Sequence, residues 1–334
     1  MLYQRLEQVQ RTDCNGLLLR MKNVLIVFFS IILNVPIGFS QQIFKKQATQ
    51  MGSIFEFVLV GKDSVQAQQY FQVVTAEIER IENLLSEWRP HTQISQVNQQ
   101  AGIRPVKVDR EVFELTRRAI HYSQLTDGAF DISIAALDNV WVFDGSMEQL
   151  PSDATIRNSV QYVGYQYIVL DSVNSTIFLE NKGMKIGFGS IGKGYAADKG
   201  RELLQSLGVK GGIVNASGDL SAWGAQPDKQ PWKIGVSNPF KAHEMIKVLK
   251  VKDGSLATSG SNEKFVEMEG KRYSHIINPQ TGWPSTGLTS VTVSGSSAEF
   301  ANFLSTSIMV LGHKKGKKLL KKFPDYKAIL VKDR

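Results

Sequence analysis

Between residues 187 and 194 the chain reads Gly-Phe-Gly-Ser-Ile-Gly-Lys-Gly, preceded by a strand-like run and followed by a helical pattern. Glycines at this density allow a sharp turn and let an anion approach backbone amides at a helix N-terminus. The spacing fits the GxGxxG pattern of dinucleotide folds. The context does not. The motif sits mid-chain, no acidic residue follows about 20 positions on to hold a ribose, and the flanking units are not βαβ. A phosphate loop is half met by Gly187, Gly192 and Lys193, but Gly194 stands where that loop needs a hydroxyl for Mg²⁺. What remains is a loop of small residues ending in a lysine, suited to an anionic pyrophosphate. The competing account is a tight helix start with Lys193 solvated.

Periodicity places elements around this loop. A strand is predicted over 53–60. A helix follows over 65–85, where Val73, Ile78, Ile81, Leu84 and Leu85 recur at helical spacing, and Pro90 ends the pattern. A second helix is predicted over 110–124, a hairpin over 162–186 turning near Asp171 to Ser175, and a helix over 195–207 capped by Gly208. Further strands are expected at 212–214, 232–236, 290–294 and 328–331, with a last helix over 298–310. Strands and helices mix without regular alternation, which indicates an α+β fold.

Met21-Lys22-Asn23 and the apolar run Val24 to Leu33 have the length and order of a signal peptide, with small residues Gly38 and Ser40 before a cleavage point at Gln41. The organisation expected is therefore an upstream start artefact at 1–20, a leader at 21–40 and a mature domain at 41–334. The sole cysteine, Cys14, falls outside that domain, so neither disulfides nor lipid anchoring is expected. The net charge of +8 raises a nucleic-acid reading. Much of the excess, however, is Lys314, Lys315, Lys317, Lys318, Lys321 and Lys322, interleaved with Leu319, Leu320 and Phe323 as on the solvated face of an amphipathic helix. No nucleic-acid partner is expected.

Several motifs, in order, resemble the ApbE family of FAD:protein FMN transferases. They are Met51-Gly52-Ser53, Leu85 to Pro90 with Ser95 and Asn98, Gly128 to Ile132 with Trp141, and Gly189 to Ala196 with Asp198. Val214 to Asp219, Ala257 to Gly260, Tyr273 to Gly282 and Ser290 to Val293 continue the series. The resemblance implies a two-lobed α+β domain, related to the T-fold, with FAD in the cleft between the lobes. It implies transfer of FMN from FAD to a Ser or Thr of a target protein, with release of AMP and with Mg²⁺ as cofactor. The implied target is a membrane-associated redox subunit, and the implied location is the periplasm or cell envelope. Flavin contacts then fall at Met51, Trp88, Ala129, Phe130, Asp131, Gly187, Lys193 and Ile277. Metal ligands fall at Ser190, through its carbonyl, and at Asn302 and Thr306.

The chemistry suits these residue types. Phosphoryl transfer needs positioning and charge neutralisation, which a lysine and a hard cation supply. Asn302 and Thr306 are four apart on a predicted helix and share one face. His275 is expected to take the proton of an attacking hydroxyl, and Trp88 to stack on the flavin. Three positions depart from the family: Gly187, Asn302 and Asn278 stand where an aspartate is usual. Losing these charges leaves two other readings open, an FAD pyrophosphatase with water as nucleophile and a non-catalytic flavin-binding protein.

Overall fold

The computed structural model describes residues 41–333, except 139, 144, 242, 262, 263 and 269. The leader expected at 21–40 and the stretch before it lie outside the described residues. Seven strands form an antiparallel sheet whose spatial order follows the chain: β1 (Gln42–Gln50), β2 (Ser53–Gly61), β3 (Gly212–Ala216), β4 (Asp219–Trp223), β5 (Gly254–Gly260), β6 (Leu288–Gly295) and β7 (Lys327–Lys332). Six helices lie in its connections: α1 (Ser64–Leu85), α2 (Gln93–Gln99), α3 (Arg110–Leu125), α4 (Asp153–Val160), α5 (Gly192–Ser206) and α6 (Ala298–Leu320). The fold is α+β, as expected.

The period of two along each strand sorts the two faces of the sheet. Phe55, Phe57 and Leu59 of β2, Val214 and Ala216 of β3, Ala257 of β5 and Val291 and Val293 of β6 are fully buried with Ile78 and Ile81 of α1, Ala196 and Leu204 of α5 and Leu304 and Ile308 of α6. The opposite face is smaller. There Leu220, Ala222 and Leu256 pack under a hairpin formed by Trp232–Ser237 and Met245–Val251.

The long β2–β3 connection carries α1 to α5 and a three-stranded sheet of Val106–Lys107, Ile168–Asp171 and Thr176–Leu179. The hairpin predicted at 162–186 is present but shorter. The Asp171 carboxylate accepts the amides of Val173 and Asn174 and so tightens the turn.

Helix ends carry information for the site. Gly208 lies at φ 87 beyond α5; its N–H bonds Gln205 O, and Val209 N–H bonds Leu204 O, the paired closure expected of a glycine C-cap. At its other end α5 starts three residues earlier than predicted, so Lys193 sits in its first turn. The last two predicted segments merge into α6, broken at Gly312 with φ 70. Its lysines, Lys314 to Lys322, are exposed, while Leu319 is buried.

Candidate functional site

Two tight turns mark one end of the sheet. Met51-Gly52 joins β1 to β2, and Ser217-Gly218 joins β3 to β4; all four residues have positive φ, as a type I′ turn requires. Pairing of Phe55 with Ala216 puts the turns side by side. The Met51 amide donates to Glu82 Oε2 of α1 at 2.9 Å. Its methyl group lies 3.6 Å from where a side chain on Gly192 would begin, so Met51 touches the glycine loop.

Two tethers hold the start of that loop. Asn98 brackets Ile186, donating to its carbonyl at 2.9 Å and accepting its amide at 2.8 Å. The Gly187 amide donates to Ile132 O at 2.9 Å. Helix α5 then begins with no side-chain cap from Ile191, which leaves Lys193 beside a helix N-terminus suited to an anion. Gly194 follows because α5 crosses the start of α6 there. A Cβ on it would meet the Ala298 carbonyl oxygen, with the carbonyl carbon at 2.6 Å and Glu299 N at 2.8 Å. Asp198 fastens the same crossing, accepting from Ser297 Oγ at 2.7 Å, Ala298 N at 3.0 Å, Glu299 N at 3.1 Å and the Ser221 hydroxyl.

Fixing α6 against the loop brings two of the expected metal ligands, Ser190 and Asn302, together with Asp219. One polar atom of the Asn302 amide lies 2.9 Å from Ser190 O and 3.1 Å from Asp219 Oδ2. Both neighbours are acceptors, so without a cation that atom is the nitrogen, donating to both. One turn on, Thr306 Oγ1 lies 3.1 Å from Ser259 Oγ of β5, which also meets Ser305 Oγ at 2.8 Å. Asp219 closes the Val214 to Asp219 motif and is not among the ligands that the resemblance implies. Its signal was an acid directly after a Ser-Gly turn, aimed at the helices by the alternation of β4. Among the described residues no group of three His, Cys, Asp or Glu side chains could hold a metal. Asp219 Oδ2, Ser190 O and, once the amide turns, Asn302 Oδ1 would offer oxygens of the kind a hard cation takes.

His275 lies in the β5–β6 connection. Its Nδ1 is 3.0 Å from the Lys264 carbonyl, which can only accept, so the neutral ring carries its proton on Nδ1 and leaves Nε2 as a base. Burial holds its pKa below the usual histidine value, with the Lys264 carbonyl opposing and the charges of Lys264 and Lys193 adding to the depression. That coupling puts His275 and Lys193 in one electrostatic environment. The Phe143 ring meets His275 edge-on at 6.3 Å, and Trp141 stacks with Phe143 and Tyr273. Trp141 Nε1 donates to Gly282 O and Gln280 Nε2 to Asp127 O, tying the His275 loop to the chain on both sides of Asp131.

The other expected flavin contacts divide. Trp88 is 73% exposed and free to stack. Ile277 is half-buried and bridges to Pro284. Ala129 and Phe130 are buried, the latter packed edge-on against Tyr122 and Phe303, so what they can offer a ligand is backbone. The Asp131 carboxylate is taken up by Ser133 N, Ser133 Oγ and Tyr165 N. Gly187 is occupied from outside: a side chain there would begin 2.5 Å from Oε1 of Glu87. Glu87 was not singled out from the sequence, although it adjoins Trp88. A separate charged cavity of about 640 Å³ lies between α1, α3 and α5. Its charges pair internally, Arg118 with Glu299 and Arg80 with Glu111.

The ApbE family model matches residues 51–330. An FAD:protein FMN transferase of Klebsiella pneumoniae (strain 342) is 32% identical over 292 residues, covering 87% of this chain and 89% of its own length. One of Treponema pallidum (strain Nichols) is 30% identical over 269 residues, covering 76% and 74%. The ApbE protein of Thermotoga maritima superposes with a TM-score of 0.81 at 30% identity, over 87% of this chain and 94% of that one. The apo form of the Pseudomonas stutzeri flavinyl transferase ApbE gives 0.79 at 29% identity, over 89% and 93%. The matched region runs from the Met51 turn through the glycine loop to β7, and the chain belongs to the ApbE family.

Proposed function

We propose that this chain is an exported FAD:protein FMN transferase that uses Mg²⁺ to move FMN from FAD onto a Ser or Thr hydroxyl of an acceptor protein. The observation that carries this reading is the Asn302 amide set between Ser190 O and Asp219 Oδ2, on the loop that leads straight into the α5 N-terminus, which carries Lys193 in its first turn and has no side-chain cap. FAD lies along this end, with its pyrophosphate at the glycine loop and its flavin toward Trp88.

The acceptor oxygen forms a bond to the FMN phosphorus while the bond from that phosphorus to the AMP oxygen breaks, and AMP leaves with the electron pair. His275 Nε2 takes the hydroxyl proton, a role compatible with a ring kept neutral by burial. Lys193 and the α5 N-terminus offset the charge that builds on the leaving phosphate. Ser190 O, Asn302, Thr306 and Asp219 would hold Mg²⁺, which would supply further charge neutralisation at the phosphates. The acceptor is a membrane-associated redox subunit met in the cell envelope. No helix among the described residues is long and apolar enough to cross a membrane.

Mass spectrometry of an acceptor protein incubated with FAD, Mg²⁺ and the enzyme tests the reading. Covalent addition of FMN with formation of AMP is expected. Free FMN with AMP would replace the transferase by a pyrophosphatase, and unchanged FAD would leave a binding protein.

A further inference from the structure

We propose that Asp219 is the charged member of the metal site and that Asn302 is its swivel. The proposal rests on the Mg²⁺-dependent reading above. The spacing around Asn302 is the first argument. In octahedral Mg²⁺ coordination with ligands at about 2.1 Å, neighbouring oxygens lie about 3.0 Å apart. The Asn302 amide atom stands 2.9 Å from Ser190 O and 3.1 Å from Asp219 Oδ2, so these edges already have the dimensions of such a shell.

Charge is the second argument. Asn302 and Asp219 are both buried, at 5% and 6% exposure, and a cation there needs a carboxylate close by. At this point helix α6 offers only neutral groups, the amide of Asn302 and the hydroxyl of Thr306, whereas β4 offers Asp219, set by the Ser217-Gly218 turn and directed toward α6 by strand alternation. An amide can serve both states. Without metal its nitrogen donates to Ser190 O and Asp219, satisfying two buried acceptors. With metal it turns by half a rotation and presents Oδ1 alongside them. An aspartate at 302 could not close the metal-free site, because carboxylate and carbonyl oxygens would face one another without a donor.

The test uses Mn²⁺ as a probe for the Mg²⁺ site, read by electron paramagnetic resonance on the full chain with FAD and no acceptor, together with thermal denaturation in EDTA. Asp219→Asn should weaken Mn²⁺ binding by about tenfold or more, as loss of the nearest full charge requires. Asn302→Asp should bind Mn²⁺ more tightly, yet melt lower than the wild type in EDTA and recover on adding Mg²⁺. The exchange variant Asp219→Asn with Asn302→Asp should regain Mn²⁺ affinity, which a variant that merely misfolds would not do. Wild type and Asp219→Asn binding Mn²⁺ equally would overturn the proposal while leaving the metal reading intact. Absence of bound Mn²⁺ in the wild type would overturn both.

Discussion

The carboxyl group of Glu87 fills the space that a side chain on Gly187 would occupy, its Oε1 standing 2.5 Å from the Cβ position and its Cδ 2.9 Å away. Glycine at the head of the loop thus accommodates an acid brought in from the end of α1. Burial pushes this carboxyl up to about 7, with its own backbone amide opposing and the Asp138 charge adding. Asp138 is itself pushed up to about 6 by burial, with Lys185 opposing.

A pH dependence of stability follows. Because the folded-state value of Glu87 lies above its ordinary 4.5, its contribution is fully present below about pH 4.5 and is lost as pH rises to about 7. Glu87→Gln cannot ionise, so its stability relative to wild type should rise steadily across that window and level off above it. Urea denaturation of both proteins at several pH values checks this. Asp138 is raised in the same direction and interacts with the Glu87 charge, so the comparison reads Glu87 together with that interaction. A difference that does not change between pH 4.5 and 7 would mean that Glu87 ionises freely.

His275 provides a second pH signature with the opposite shift. Burial lowers its pKa, and the nearby lysine charges lower it further. Lys193→Met removes one of those charges, so the protonated ring becomes less unfavourable and its pKa rises. An NMR titration of the His275 ring should show the midpoint moving up. A static midpoint would separate Lys193 from the His275 environment and weaken their placement in one site.

Gly194→Ala should destabilise the fold even though alanine is the better helix former by about 1 kcal/mol. The atoms a Cβ would strike belong to the backbone of Ala298 and Glu299, which cannot swing aside. Overpacking of this kind costs about 1–3 kcal/mol. Gly189→Ala is the control, since nothing lies within 4 Å of its Cβ position and its φ is not positive. Thermal unfolding should separate the two variants clearly; equal melting would mean that α5 and α6 can part at low cost.

How much of this was legible in the sequence varied with the kind of signal. The periodic apolar runs of α1 and α3 were readable because burial repeats along a single helix. Strand β1 was not, since Lys45, Gln47 and Thr49 face solvent and Lys46 shares its inward face with Phe44 and Ala48. The glycine loop was readable as a turn, but the reason for Gly194 was not. Sequence shows only a missing hydroxyl there, whereas the cause is a helix crossing more than 100 residues away in the chain. The meeting of Ser190, Asp219 and Asn302 depends on sheet register and on Asp198 fastening α5 to α6, and no local pattern encodes it. Asp131 shows the reverse case: a motif position whose carboxylate the fold uses for its own amides.

The two expected anchors of FAD differ in their physics. In the proposed site Lys193 would act through charge at the pyrophosphate, so Lys193→Ala should weaken FAD affinity by about tenfold or more, as loss of a charge-assisted hydrogen bond implies. Salt should compress that difference, because screening already weakens the wild-type attraction. Trp88 would act through the face of its ring. At 73% exposure it contributes little to the core, and Trp88→Ala should change stability by no more than about 0.5 kcal/mol. Its effect on FAD affinity should persist unchanged between low and high salt, and Trp88→Phe should recover part of it because an aromatic face remains. FAD titrations of the three variants and the wild type at two ionic strengths resolve these patterns. Equal salt dependence in Lys193→Ala and wild type would leave Lys193 as a solvated residue at the start of α5, and an unaltered affinity in Trp88→Ala would move the flavin to another surface.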